Sequence, residues 1–328
     1  MMDKIVYLSS SEREELFNET AIAKKVTPAV IEKDFWVTWI LYRIFNHSEL
    51  SKILIFKGGT SLSKVYKIIE RFSEDIDLIL DWSLLTEENP KSERSRRQQE
   101  KLNKEINEKA KEFIAGKLLN MIKEALNGVC DVKVDKTDPY VINVIYPLSF
   151  RLDYLRPVIR LEIGPLAEWM PNEKHFITSY CAEVFPETFE ISGCNVPTIL
   201  AERTFWEKAT ILHHEAHRPE QNPQPPRYSR HYYDLAMMAK SDIKPKALKR
   251  LDLLGNVVEF KKRFYYRGWA KYDEAKPGTF KLIPPLHIEK QLRTDYKAMK
   301  NMIFGYYPSF DEIIHILKEL EDEINQLE

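Results

Sequence analysis

The sequence predicts an α+β protein, a small mixed β-sheet flanked by helices and followed by a helical C-terminal half. Short apolar or β-branched runs at 53–56, 75–80, 129–134, 141–146 and 158–163 read as strands, the last three bounded by Asp, Pro or Gly. From Pro197 onward the apolar residues recur at helical spacing. No internal repeat and no linker interrupts the 328 residues, so the change of character near 196/197 is taken as the boundary between an α/β domain with N-terminal helices, 1–196, and a mainly helical one, 197–328.

Thr27-Pro28 caps and starts a helix to about Phe45, with Ile31, Phe35, Thr38, Trp39 and Tyr42 on one face. Ile53–Phe56 is a strand, followed by Lys57-Gly58-Gly59-Thr60 and a helix carrying Leu62, Val65, Tyr66 and Ile69 at i, i+3, i+4, i+7. Asp75–Leu80 is the second strand. Residues 90–126 are rich in Lys, Arg, Glu and Gln, with Leu102, Ile106, Phe113, Leu118, Ile122 and Leu126 at broadly helical spacing, which predicts one long solvated helix. Helices are expected at about 197–217, 229–240, 243–263, 286–303 and 308–326, with the Pro-rich stretch 218–228 as a loop.

Lys and Arg number 49 against 50 Asp and Glu, a net charge of −1, which excludes nucleic-acid binding through bulk positive charge and confines it to local patches. Cys130, Cys181 and Cys194 lie far apart without CxxC spacing, which argues against a disulfide framework or zinc knuckle and for a reducing compartment. The early polar residues of MMDKIVYLSSSEREEL do not suit a signal peptide, and no apolar run approaches the roughly 20 residues of a membrane span. A cytoplasmic protein is expected. Only 10 glycines occur, about half the usual ~7%, which makes the Gly58-Gly59 pair conspicuous.

That pair sits in FKGGTSLSKVYKIIERFSEDIDLIL, residues 56–80. Glycines between a strand and a helix let the backbone approach a ligand closely, and N–H groups at the helix start attract phosphate. Thr60 or Ser61 is the expected N-cap. Asp75 and Asp77, two apart on a strand, share one face while Ile76 and Leu78 take the other. Two such carboxylates repel unless a cation neutralises them, and Mg²⁺ favours carboxylates together with phosphates. A solvent-exposed strand end explains a bare Asp-x-Asp as well, but not its coupling to the glycine turn. Glu162 shares a strand face with Arg160 and is a candidate third ligand; a plain Arg–Glu pair accounts for the same pattern.

Two later segments stand out. Lys208 lies at the edge of the apolar stripe Ala201, Phe205, Ala209 and Leu212, where it either snorkels outward or reaches a buried anion. Asp234 shares a face with Met237 and Met238, with Arg230 and His231 nearby, and a capping or ion-pair role suffices for it. His213 and His217 stand at i, i+4, a zinc-compatible spacing, yet the acid does not follow the first histidine as a metalloprotease motif requires.

Gly-Gly-Thr, a helix and then Asp-x-Asp resembles the first motif of the DNA polymerase β-like nucleotidyltransferase superfamily, with 14 residues between Thr60 and Asp75. The wording KGGTSLSK…RFSEDIDL is similar to the AbiEii/AbiGii toxin family of abortive-infection systems. Glu32-Lys33-Asp34-Phe35-Trp36, KKRFYYRGWAKY (261–272), Lys276-Pro277-Gly278-Thr279 and Leu282-Ile283-Pro284-Pro285 extend the resemblance over nearly the whole chain. It implies a nucleotidyltransferase core and an enzyme moving NMP from an NTP with Mg²⁺ or Mn²⁺, Asp75, Asp77, Lys208 and Asp234 being catalytic. Lys57, Gly58, Gly59, Thr60, Ser61 and Ser73 would bind the nucleotide, and Asp75, Asp77 and Glu162 the metal. Lys208 would neutralise phosphate charge; Asp234 would position the acceptor or assist its deprotonation. A separately encoded AbiEi-like antitoxin is the implied partner, tRNA or another RNA the implied acceptor, and a monomer without membrane contact the expected state. The basic stretch 243–263 supports RNA only loosely, being equally a solvated helix face. The rival readings are a small-molecule nucleotidyltransferase of antibiotic-modifying type and a non-catalytic nucleotide-binding regulatory module.

Overall fold

The computed structural model describes residues 2–152 and 155–328. Its contacts divide the chain into two compact units: Met1–Val65, Phe72–Pro90 and Lys101–Ile199 in the first, and Tyr66–Arg71, Lys91–Glu100 and Leu200–Glu328 in the second.

The first unit holds one seven-stranded mixed sheet of order β3-β4-β5-β2-β1-β7-β6. The strands are β1 (Leu54–Lys57), β2 (Asp75–Leu80), β3 (Asp131–Val134), β4 (Val141–Ile145), β5 (Ile159–Gly164), β6 (Asn172–Thr178) and β7 (Gly193–Ile199). β2 runs parallel to β5 and β1 parallel to β7; the other neighbours are antiparallel. β6 and β7, which the sequence pattern does not reveal, form the edge of the sheet beside β1. β7 takes in residues expected to open a helix: Pro197 lies next to Thr198, which pairs with Phe56 of β1, at a position where a missing N–H is tolerated.

Helices α1 (Asp3–Val6), α2 (Ser10–Lys24), α3 (Pro28–Asn46), α4 (Leu50–Ile53), α5 (Gly58–Lys64), α6 (Arg96–Phe113), α7 (Leu119–Leu126) and α8 (Tyr180–Val184) precede or interleave with the strands. α2 starts at a capping box, Ser9 and Glu12 exchanging side-chain and backbone hydrogen bonds. α3 is buried on every side from Ala29 to Leu41, and Trp36 stacks on Tyr146 with centroids 5.7 Å apart. The helix after the glycine turn is short: α5 stops at Lys64, so Val65, Tyr66 and Ile69 lie beyond it.

The long polar helix is interrupted by a π turn, Ile114–Leu118, between α6 and α7. Its buried residues explain why. Leu102, Ile106, Ala110, Ile114, Leu118, Ile122 and Leu126 are all buried and recur every fourth residue. At 3.6 residues per turn such a row drifts by about 40° at each step, and a wider π turn returns it toward the core.

The second unit is helical: α9 (Ala201–Ala216), α10 (Ser229–Ala239), α11 (Ile243–Leu248), α12 (Leu251–Phe264), α13 (Leu286–Ala298) and α14 (Phe310–Asn325). The expected helix over 243–263 is thus two, parted at Lys249-Arg250. α9 is central, packing against α10, α11 and α12, while α10 packs against α13 and α14. Trp206, fully buried on α9, donates its indole N–H to the Ala247 carbonyl at 3.0 Å, which satisfies its one polar atom within the core.

Candidate functional site

In the first unit, β1 delivers the chain into the glycine turn and β2 returns beside it. Lys57 stands opposite Asp77 in the antiparallel register, and Asp77 stands opposite Glu162 in the parallel one. One pleat along, Asp75 is level with Arg160, which is level with Asn143. Residues opposite one another share a face, so Lys57, Asp75, Asp77, Asn143, Arg160 and Glu162 form one polar patch on the sheet. Ile76 and Leu78 are buried on the other side.

Gly58 has φ +82°, a backbone conformation that disfavours side chains, and the carboxylate of Asp77 occupies the space a Cβ would take. Turn and acid therefore fit as one piece. The N-cap of α5 is Lys57, whose side chain makes no capping bond, rather than Thr60 or Ser61. Those two hydroxyls instead tie the turn to its surroundings: Thr60 Oγ1 donates to the Asp75 carbonyl and Ser61 Oγ to the Gly58 carbonyl at 2.8 Å. Ser73 is half-buried just before β2.

Among the described residues, none makes a hydrogen bond to the buried Oδ1 of Asp75. Burial, with the charges of Glu162 and Glu74, raises its pKa above the ordinary carboxylate range. Arg160 offsets this in part, lying 3.8 Å from Asp75, 3.4 Å from Glu162 and 3.6 Å from Asp135. With Arg160 among them, no group of three or more His, Cys, Asp and Glu among the described residues converges closely enough to hold a metal ion. The Asp75–Asp77 pair nevertheless fits a divalent cation in its donor chemistry: an orphaned buried oxygen, a second carboxylate on the same face, and like charge in need of neutralisation. Glu162 is engaged by Arg160, the alternative that its spacing left open.

In the second unit, Lys208 resolves toward a buried anion. Its Nζ lies 2.8 Å from Oδ2 of Asp234, which is wholly buried. Arg71 grips the same carboxylate from Nε and Nη2 at 2.6 and 2.8 Å. Burial opposes ionisation of Asp234, but Arg71 and Lys208 outweigh it and hold the carboxyl below its usual range. His231 lies 3.5 Å from Lys208, and burial, reinforced by Lys208 and Arg230, keeps it neutral. Arg71 was not legible in advance, being 163 residues from its partner.

The histidine cluster is structural. His213 hydrogen-bonds the Lys271 carbonyl through Nε2 and accepts the Lys281 N–H on Nδ1, both at 3.1 Å, leaving no lone pair for zinc. His217 uses Nδ1 on the His213 carbonyl, and His214 meets Glu215, which Arg218 holds from two nitrogens.

Comparison with known proteins gives the class. The family described as "Nucleotidyl transferase AbiEii toxin, Type IV TA system" matches residues 39–316, and the chain belongs to that family. It is thus a nucleotidyltransferase of the AbiEii toxin type. Among solved structures, the nucleotidyltransferase toxin MenT4 from Mycobacterium tuberculosis is 18% identical, covering 96% of this chain and 97% of its own, with a TM-score of 0.44. JHP933 from Helicobacter pylori is 15% identical over 90% of this chain and 94% of its own, also with a TM-score of 0.44. No curated protein matches the chain. Among the described residues no helix is long and apolar enough to cross a membrane.

Gly58→Ala forces a methyl group into the Asp77 carboxylate, and transfer activity is expected to fall by about a hundredfold, the cost of a misplaced reacting group, in a protein that still melts cooperatively. Asp234→Asn removes the carboxylate that faces the buried Arg71 and Lys208; urea denaturation should register a loss of about 3–5 kcal/mol, more than for Lys208→Met, which keeps the Arg71 pair. His213 has its pKa lowered by burial to about 4. A histidine depressed on folding contributes stability above its unfolded pKa of ~6.5 that drains away as pH falls toward the folded value. Denaturation at pH 5 rather than 7.5 should therefore show about 2 kcal/mol lost through this residue, with a smaller slope in His213→Gln.

Proposed function

We propose that this chain transfers NMP from an NTP to an RNA acceptor, with tRNA foremost, using a divalent cation held by Asp75 and Asp77. The observation that carries the reading is the seating of Asp77 against Gly58, which sets a glycine-lined helix start and an acid pair side by side. A cation bound there, Mg²⁺ or Mn²⁺, supplies positive charge to the phosphates and to the oxygens gained and lost at phosphorus.

The acceptor oxygen forms a bond to the α-phosphorus as the α–β phosphoanhydride P–O bond breaks; pyrophosphate leaves, and the acceptor proton passes to solvent or a base. The chain's contribution is binding and alignment. Lys57, Gly58, Gly59, Thr60 and Ser61, with Ser73, are the proposed nucleotide contacts. Glu162 is a third ligand only if Arg160 releases it, so Glu162→Gln is expected to matter less than Asp75→Asn. Lys208 is the proposed cationic residue of the reaction. Asp234, with both oxygens engaged and its carboxyl held ionised by two cations, is a poor base; its proposed part is to position Lys208. As an AbiEii-type toxin the protein is expected to have a cognate antitoxin, proposed to be AbiEi-like, and to act in the cytoplasm as a monomer.

The test is incubation with each α-³²P-NTP, Mg²⁺ and total RNA, followed by gel separation. Label should move to the tRNA band, and Asp75→Asn should lower the rate by roughly a thousandfold, the several kcal/mol a catalytic metal is worth. Label on a small molecule without RNA would favour the antibiotic-modifying reading. Retained nucleotide with no transfer to anything would favour the regulatory module.

A further inference from the structure

Three consecutive charged residues, Glu32, Lys33 and Asp34, occupy one turn of α3 and are almost wholly buried. The resemblance marks this segment without giving it a task. Successive helix positions point about 100° apart, so each charge must find its partner in a different direction. Glu32 accepts the N–H groups of Ser149 and Phe150 at 2.7 and 2.9 Å. Asp34 meets Lys64, the last residue of α5, at 2.6 Å. Lys33, with no exposed surface, donates to Glu74 at 2.6 Å and to the Arg156 carbonyl at 2.6 Å.

The Lys33 contacts close a ring. Glu74 also accepts the Arg156 N–H at 3.0 Å, so one ammonium, one carboxylate and the backbone N–H and carbonyl of one residue are joined by three hydrogen bonds. Glu74 immediately precedes β2, and Arg156 lies three residues before β5. These are the parallel strands whose register sets Asp75 level with Arg160 and Asp77 level with Glu162. A buried ion pair is rarely the most stabilising way to fill a core, since apolar residues of similar volume serve as well or better. What this pair adds is a directional clamp at the common entrance of the two strands that carry the acidic patch.

We propose that Lys33 is a positioning residue of the nucleotidyltransferase site, acting through Glu74 and the Arg156 peptide to hold β2 and β5 where Asp75 and Asp77 can share one cation. The inference rests on the reading of those aspartates as the metal-holding pair.

The obvious variant, Lys33→Met, removes the ammonium that faces the buried Glu74 carboxylate and risks unfolding. The informative one is the double variant Lys33→Met/Glu74→Leu, which removes both charges together and is expected to stay cooperatively folded, melting somewhat lower because the Arg156 N–H and carbonyl lose these bonds. Two readouts are compared with wild type: Mn²⁺ affinity, from the EPR signal of free Mn²⁺ in a titration without nucleotide, and kcat and KM for NMP transfer. The double variant should bind Mn²⁺ about tenfold more weakly and lose about a hundredfold in kcat, as expected for misplaced reacting groups, with a smaller change in KM for the NTP. Lys33→Arg, which keeps a charge for Glu74, should recover most of the Mn²⁺ affinity. A folded double variant with wild-type affinity and rate overturns the inference while leaving the transferase reading intact. A wild-type chain that neither transfers label nor binds Mn²⁺ in an Asp75-dependent way overturns the reading beneath it, an outcome told apart because it appears without any change at Lys33.

Discussion

The carboxylate of Asp77 fills the space beside Gly58 that any other residue would claim for its Cβ. The geometry of the turn and of the strand beside it follows from keeping that contact. The glycine must hold a positive φ, the turn must be pinned by Thr60 and Ser61, and β2 must run at a fixed height beside β1. The contact also concentrates negative charge. Asp75 emerges on the same face with a buried oxygen that no hydrogen bond from the described residues reaches, and Arg160 only partly compensates. A site so built is unfavourable in isolation and would become favourable if a cation and phosphates shared it, which is the ground for proposing metal-assisted transfer.

Buried charge is the recurring device in both units, and its logic differs from that of an apolar core. In the first, Lys33 and Asp34 send opposite charges from one helix turn to Glu74 and Lys64. In the second, Asp234 is shared between Arg71 and Lys208. Each set loses several kcal/mol if one partner is removed, and each gains little over hydrophobic replacement. Such arrangements are more easily understood as fixing direction than as adding stability. That is why the carboxyl of Asp234, expected from resemblance to handle the acceptor or its proton, reads better as the support of Lys208.

Much of the fold was legible because its strands are short β-branched runs with a clear turn chemistry. Asp75–Leu80 matches the expected strand at both ends, and the Asp-x-Asp spacing fixed the shared face. The edge pair β6 and β7 was not legible for physical reasons. His175 and Phe176 belong to a mostly exposed strand with little apolar alternation, while Gly193 and Pro197 in β7 carry the marks of strand breakers. The π turn after Phe113 was hidden in a period of four that a helical reading absorbs without complaint. For the candidate site, local spacing singled out Asp75, Asp77 and Gly58, while Lys208, open from its spacing to snorkelling or to a buried anion, was given a role only by the family resemblance. Partners supplied from elsewhere in the chain were invisible, Arg71 for Asp234 and Glu74 for Lys33, whereas the Arg160–Glu162 pair, two residues apart on one strand, was open to a reading of the spacing. Pairing across a fold leaves no periodicity in the sequence.

In the proposed site, Asp75 and Asp77 would share one divalent cation at the mouth of the glycine turn. The most direct measurement is a crystal structure of the chain soaked with Mn²⁺ and a non-hydrolysable NTP analogue, with the ion located by its anomalous scattering. The account predicts a peak about 2.1 Å from carboxylate oxygens of both aspartates, in the octahedral oxygen geometry of Mg²⁺-type sites, with phosphate oxygens completing the shell. A peak bound elsewhere, or a nucleotide seated with no ion between it and the two aspartates, would contradict it.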